Sequence, residues 1–406
     1  MKFATVRWAM FQIHMWVGLI LGVLLVVVGL SGSLLVYDDK LTQIFAPVPE
    51  ANTAGLRLPL AMLVDKAREA AAARGVTGKA QIVLPEKTGD AAIVRITGAP
   101  AMRGEGAREP GRPAAAPAAP PPAGGGLQVY LDPVSGQVLG TAPPGSLPVF
   151  QFLHELHGRL ALARDFGRPL VGWLGVAMCA LGISGLILWW PKRGQWKYAF
   201  GVRKTATGLR FHRELHAAVG IWIFVAFMAV SFSGVAITFP QTVRGLIAPG
   251  SPAPRPAFNL REGPKIEAVE GAGAIVPDAA LLIAQKQMPG AKVRSVTLPA
   301  SPTQAYSVAM VSRFGTTATF YINPYTSQVV AVRDPANNGG VDSFMALQRP
   351  MHDGQGNLGP VWEFLVFLSG LVPLLFVITG TIMWLKKRKR RLPMSTLTDD
   401  VAEEAA

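Results

Sequence analysis

Four apolar stretches decide what this chain can fold into: residues 15–36, 169–190, 217–239 and 361–385. Each is close to the ~20 residues that a helix needs to cross a ~30 Å hydrocarbon core. Between them the chain is polar and rich in turn formers. Half of the 406 residues are hydrophobic and 16% are charged. One such run could be the buried helix of a water-soluble core. Four, each with aromatic or basic flanks, point to a bilayer. The first run is longer than the ~7–15 apolar residues of a signal peptide. It ends in VYDDK without a small-residue cleavage pattern, so it is expected to stay as a transmembrane helix.

Lysine and arginine mark the sides. The loop 192–213 carries Lys192, Arg193, Lys197, Arg203, Lys204, Arg210 and Arg213 with no acidic residue, Lys386 to Arg391 reads KKRKRR, and Lys2 and Arg7 precede the first run. The positive-inside rule places all three clusters, and both termini, in the cytoplasm. The long connections 38–168 and 240–360 are then outside. The net charge of +14 is accounted for by these clusters, and no nucleic-acid partner is expected. Cys179 is the one cysteine and lies in the second run, so it reads as a small apolar residue with no internal disulfide.

The chain also repeats itself. His14 and His216 are 202 residues apart, and that offset carries Gly18 onto Gly220 and Gly32 onto Gly234. His157 and His352 are 195 apart, and that offset carries Gly185 onto Gly380 and Trp189 onto Trp384. HMWVG reads against HAAVG, and LSG against FSG. Four of the six histidines fall on the repeat; His154 and His212 do not, since their counterpart positions are Arg349 and Met10.

The outer connections repeat too. YLDPVSGQVLG (Tyr130 to Gly140) matches YINPYTSQVVA (Tyr321 to Ala331), each reading as strand, proline turn and strand. Ala-rich helical patterns at 59–75 and 278–290 precede them, followed by alternating segments at 81–85 and 293–299. Each connection is expected to be a small α+β module. The stretch 99–126, rich in Ala, Pro, Gly and Arg, is expected to be a disordered loop in the first.

The expected fold is a mainly α membrane protein. It has four transmembrane helices in two parallel repeats about a pseudo-twofold axis along the membrane normal, and two small α+β modules outside. In chain order these are helix one (1–37), module one (38–147), an interfacial segment with helix two (148–191) and a basic cytoplasmic loop (192–213). Helix three (214–240), module two (241–345), a lead-in segment with helix four (346–385) and a cytoplasmic tail (386–406) follow.

Residues facing such an axis meet their own counterparts. His14 would meet His216 near the cytoplasmic face, and His157 would meet His352 near the outer face, on a short interfacial helix such as 148–163 or on a loop. Two opposed imidazoles suit the axial positions of a haem iron, giving two haems, or one with the remaining histidines as alternative ligands. Zinc takes three or four protein ligands. HELH (154–157) and HRELH (212–216) contain zincin-like fragments, with Glu214 in the second, but HRELH is not HExxH. His154 and His212 are then supporting residues. Arg159 and Arg349 near the outer pair, and Arg213 near the inner, are candidates for haem propionates, and interfacial snorkelling explains the same side chains. Trp16, Trp190, Trp222 and Trp384 read as interface-belt residues. The paired glycines allow close approach by a helix or a porphyrin face.

Several motifs carry a family resemblance. They are HMWVGLILG (14–22), VGLSG (28–32), LHGRL (156–160), GISGLILWWPKR (182–193), LHAAVG (215–220), SFSG (231–234), MHDGQGNLG (351–359) and ITGTIMW (378–384). The chain resembles the PepSY-associated transmembrane family, and within it the bacterial inner-membrane di-haem ferrisiderophore reductases. The YLDP and YINP hairpins look like parts of PepSY modules. The resemblance covers nearly all of the chain except 99–126 and the tail. It implies an inner-membrane b-type haem oxidoreductase that reduces ferric complexes in the periplasm, with His14, His157, His216 and His352 as haem ligands.

The sequence has no GxGxxG after a strand and no room for a flavin or nicotinamide domain. Electrons are therefore expected from a partner reductase, a reduced flavin or membrane quinol, and the basic loop could dock an acidic donor. A second reading is a non-enzymatic anchor presenting PepSY modules to a protease or an assembly; it has no use for the paired histidines. A permease is disfavoured because Glu363 is the one clear intramembrane acid.

Overall fold

The computed structural model describes residues 3–51, 54–85, 89–98, 126–145, 147–250, 258, 262–269, 271–311, 317–354 and 358–389. The helices are α1 (Phe3–Leu35), α2 (Asp38–Phe45), α3 (Leu60–Ala72), α4 (Pro148–Arg159), α5 (Arg164–Trp189), α6 (Gly208–Thr238), α7 (Pro240–Ile247), α8 (Pro277–Gln287), α9 (Gly340–Asp353) and α10 (Gly359–Lys389). The strands are β1 (Lys79–Val83), β2 (Ala92–Thr97), β3 (Gly126–Leu131), β4 (Val138–Ala142), β5 (Lys292–Thr297), β6 (Tyr306–Val311), β7 (Thr317–Ile322) and β8 (Val329–Arg333). Two compact units form: a helical unit from 1–38, 147–253 and 344–406, and a sheet unit from 39–146 and 254–343.

In the helical unit, α1, α5, α6 and α10 are the helices long and apolar enough to cross a membrane. Leu25, Val28, Leu174, Met178, Ile223, Phe227 and Val372 form its buried core. Small residues bring α1 against α10. A Cβ on Gly29 would lie 2.5 Å from the carbonyl of Gly370, and Ser33 Oγ donates to Phe367 O at 2.7 Å. Close backbone approach of this kind is how helices associate where water supplies no hydrophobic drive.

Helix ends differ from the apolar runs. α1 begins at Phe3 and α6 at Gly208, so His14 and His216 sit two to three turns inside their helices rather than at their starts. α4 closes at Leu160 and Ala161, both left-handed at φ 54° and 55°, which turns the chain straight into α5. Gly167 makes this turn possible, since a Cβ there would strike the Arg159 carbonyl.

The sheet unit departs from two separate modules. All eight strands join one antiparallel sheet in the order β4-β3-β2-β1-β5-β6-β7-β8. β1 and β5 pair at its centre through Gln81–Thr297, Ile82–Val296 and Val83–Ser295. Two four-stranded sheets would each leave two open edges of N–H and C=O groups, and the β1–β5 pairing closes one edge of each, leaving β4 and β8 at the ends. α3 and α8 cover one face and bury Leu60, Leu63, Val64, Ala280 and Ala284 against Ile82, Val94, Val296 and Val308.

Both hairpins form as their turn chemistry predicts. Asp132 Oδ1 accepts from the amides of Val134 and Ser135, and Asn323 Oδ1 accepts from those of Tyr325 and Thr326. Gly136 (φ 69°) is left-handed in the first turn, and Ser327 (φ 60°) holds the same place in the second. The expected disordered loop at 99–126 lies outside the described residues apart from Gly126, where β3 starts.

The two chain segments of the sheet unit are also tied by a cap. Asp278 at the start of α8 accepts from the first amides of α3, Leu60 N at 3.0 Å and Ala61 N at 3.4 Å. Asp278→Ala should cost about 1 kcal/mol, as cap losses do. Faster hydrogen exchange at the Leu60 and Ala61 amides, with little change in the transmembrane helices, is the expected readout.

Candidate functional site

Two pairs of histidines face each other inside the helical unit. His157, in the last turn of α4, lies against His352, in the last turn of α9. Their ring centres are 5.8 Å apart and their Nε2 atoms 3.5 Å apart. His157 Nδ1 donates to the main-chain oxygen of Val28 at 2.9 Å, and His352 Nδ1 donates to that of Val230 at 2.9 Å. Val28 and Val230 are themselves related by the 202 offset.

A carbonyl only accepts, so Nδ1 carries the proton in both rings. Burial and the facing His352 push the His157 pKa down to about 4, and burial lowers that of His352. Both imidazoles are therefore neutral, with a bare lone pair on each Nε2, and the two Nε2 atoms lie 3.5 Å apart. Glycines admit the rings: a Cβ on Gly32 would lie 2.7 Å from His157 Cε1, and one on Gly234 3.0 Å from His352 Cε1.

The second pair is His14 on α1 and His216 on α6, with ring centres 6.1 Å apart and planes at 70°. Val28, which anchors the first pair, lies fourteen residues along α1 from His14, or about 21 Å at 1.5 Å per residue. His14 Nδ1 meets Ser184 Oγ at 2.9 Å and His216 Nδ1 meets Thr379 Oγ1 at 2.7 Å. Each hydroxyl spends its own hydrogen on a carbonyl four residues earlier, Ala180 O at 2.7 Å and Leu375 O at 2.8 Å. The hydroxyl oxygens then accept from Nδ1–H, which again leaves Nε2 bare. Phe376 stacks on His216 at 4.5 Å.

This second pair lies in a cavity of about 1540 Å³, larger than the ~300–1,000 Å³ of pockets for drug-sized ligands. Matched residues line it from both halves: Gly18 and Gly220, Gly185 and Gly380, Trp189 and Trp384. Arg7, Arg210, Arg213, Lys387 and Arg388 line it as well.

The unpaired candidates serve other ends. His154 Nε2 bonds Asp38 at 3.1 Å. His212 packs beside Phe211 and does not line the cavity. Glu214 is committed to Arg203 and Arg210, at 2.6 and 2.9 Å, so the zincin-like fragment is a structural ion cluster. Arg159 pairs with Glu155, and Arg349 with Asp353 at 3.3 Å, each within its own helix.

Sequence reasoning missed Ser184 and Thr379, although the 195 offset that relates His157 to His352 relates them too. It also missed Ser31 and Ser233, a 202-offset pair whose hydroxyls bond the same Val28 and Val230 carbonyls, at 3.1 and 2.9 Å.

The donor set fits an iron porphyrin. A metal held at about 2.0 Å by two opposed imidazoles sets their ring centres about 6.3 Å apart, close to the separations observed at both levels. The porphyrin supplies its own equatorial nitrogens and asks the protein for two axial ones. Among the described residues, no three His, Cys, Asp or Glu side chains come together as a bare metal ion would need.

A family model described as the PepSY-associated TM region matches residues 11–387. No curated protein matches the chain.

Gly32→Ala should displace the His157 ring and cost about 1–3 kcal/mol, as overpacking does. Gly380→Ala, whose Cβ meets nothing within 4 Å, should be neutral or stabilising by up to ~1 kcal/mol; thermal unfolding of both variants checks the contrast. Acid unfolding of the ligand-free chain gives a second check. Folding lowers the His157 pKa from its ordinary 6.5 to about 4, so stability is intact above pH 6.5 and falls as pH drops toward 4. His157→Gln should flatten that slope.

Proposed function

The chain belongs to the PepSY-associated transmembrane family, and from that premise we propose that it is a haem b protein that carries electrons outward across a bacterial inner membrane and reduces ferric complexes, ferrisiderophores among them, in the periplasm. It is a multi-pass membrane protein with four candidate spans. In this reading both termini and the loop 192–213 are cytoplasmic, the sheet unit is periplasmic, and the two halves form parallel repeats about a pseudo-twofold axis.

The observation that carries the proposal is the pair of opposed imidazoles at each of two depths, all four with Nδ1 tied and Nε2 bare. Metal-ligating histidines are held in this way, by a second hydrogen bond that fixes tautomer and ring direction. His14 and His216 would hold one haem, and His157 and His352 the other. Bound haem supplies one-electron exchange between ferric and ferrous iron.

The chain's own residues bind, orient and insulate. Val28 O, Val230 O, Ser184 and Thr379 fix the imidazoles. Leu25, Met178, Phe227 and Val372 form a buried apolar core beside the histidines. Arg213, Lys387 and Arg388 on the cavity wall suit propionates. A ferric chelate that gains one electron holds its iron far less tightly, which releases the metal outside. The electrons enter from a reductase, a reduced flavin or quinol on the cytoplasmic or membrane side.

A dithionite-reduced minus oxidised spectrum of the detergent-purified protein, with haem quantified per chain, tests this reading. Sharp low-spin b-type bands at about two haems per chain are expected. His14→Ala and His157→Ala should each remove about half of the signal, leaving the other component intact. A folded protein that takes up no haem would overturn the reading and favour a non-enzymatic PepSY anchor.

A further inference from the structure

We infer that the two histidine levels are electrically unequal, and that the His14/His216 level is the higher-potential of the two, set by Ser184 and Thr379 and by the cations of its cavity. The inference rests on the haem reading above and goes beyond it, since that reading treats the two levels alike.

The first observation is the acceptor behind each imidazole. His157 and His352 donate Nδ1–H directly to main-chain carbonyls at 2.9 Å. A strong acceptor at Nδ1 draws the proton away from the ring and makes Nε2 a better donor. A better donor favours the ferric state, which lowers the potential. His216 meets the Thr379 hydroxyl oxygen instead, and His14 meets Ser184 Oγ with the Leu181 carbonyl beside it. A hydroxyl is a weaker acceptor than an amide carbonyl, so the His216 ring above all pushes less charge onto a bound iron.

The second observation is charge, and it is independent of the first. The cavity around His14 and His216 is lined by Arg7, Arg210, Arg213, Lys387 and Arg388 and by no Asp or Glu. The nearby carboxylate, Glu214, is shared between Arg203 and Arg210. Around His157 and His352 the charges balance or turn negative: Arg159 is paired with Glu155, Arg349 with Asp353, and Asp38 faces His154. Fixed positive charge stabilises an added electron, and in a poorly solvated site it is weakly screened. Both observations therefore raise the same level above the other.

Ser184 and Thr379 are positioning residues in this account. They touch the imidazoles and act on a bound iron through them.

The test is an optical redox titration of the full-length, haem-loaded protein in detergent. Two components are expected, and the one lost in His14→Ala should be the higher in potential. Thr379→Val, which removes the acceptor from His216 Nδ1, should raise that component further. Arg213→Gln should lower it, and both changes should leave the other component in place. Ser31→Ala is the control: His157 keeps the Val28 carbonyl, so neither component should move. Arg213→Gln lies outside the ligand set and identifies the component even if His14→Ala does not fold. Coincident potentials, the reverse order, or a shift confined to the other component would overturn the inference while leaving the haem reading standing. A protein that binds no haem would overturn both.

Discussion

Everything at the centre of the helical unit depends on four hydrogen bonds to Nδ1. A free imidazole divides its proton between two nitrogens and turns about its side-chain torsions. The bonds from His157 to Val28 O, His352 to Val230 O, His14 to Ser184 and His216 to Thr379 remove both freedoms. The glycines are placed to allow it. Gly32 and Gly234 lie one helical turn after the carbonyls they expose, and Gly185 and Gly380 directly follow the two hydroxyl residues. A side chain at Gly32 or Gly234 would strike the imidazole that reaches the carbonyl. The placement of Gly32 and Gly234 is thus a steric consequence of the histidine geometry, and serves more than helix–helix approach.

Much of this was legible in the sequence, because matched residues at fixed offsets mark the same chemistry twice. The four paired histidines stand out by offset alone, and the hairpins by their DPVSG and NPYTS turns. What stayed hidden has physical causes. The acceptors for His157 and His352 are main-chain atoms, which no residue type announces. Ser184 and Thr379 differ in letter while sharing a hydroxyl, so identity matching passes over them. β1 and β5 carry no mark of which edge they will meet, and two modules became one sheet. Helix ends drifted because hydropathy reports where lipid is tolerated, and α1 and α6 continue beyond it into polar sequence. The roles of Glu214 and His154 depended on partners distant or offset in the chain, Arg203 and Asp38.

Neutrality is the second constraint. A charged side chain in hydrocarbon is expensive, and four imidazoles held as neutral Nδ1–H tautomers add no net charge to the bundle. The ionised groups that approach the histidines are partnered or lie along the cavity wall: Glu214 with two arginines, Arg349 with Asp353, and Arg388 over Trp384 at 5.6 Å. In the proposed haem reading, such a site would tolerate an added electron mainly through its fixed surroundings, because its ligands cannot take up or lose protons cheaply.

In the proposed orientation, the higher-potential level faces the cytoplasm, which at first sight places the resting point of an electron at the wrong end of its path. The membrane field resolves this. The cytoplasm is electrically negative, so an electron moving outward moves with the field, by about 2.3 kcal/mol per charge for each 100 mV it crosses. The levels lie about 21 Å apart along α1, most of the ~30 Å hydrocarbon thickness. Most of that field energy therefore falls between them. A cation-rich inner level would gather electrons from a donor of modest reducing power, and the field would carry them against the difference that hydroxyl and carbonyl acceptors set. The proposed charge asymmetry and the proposed direction of transfer are then consistent with one another, and the membrane potential becomes part of what the protein uses.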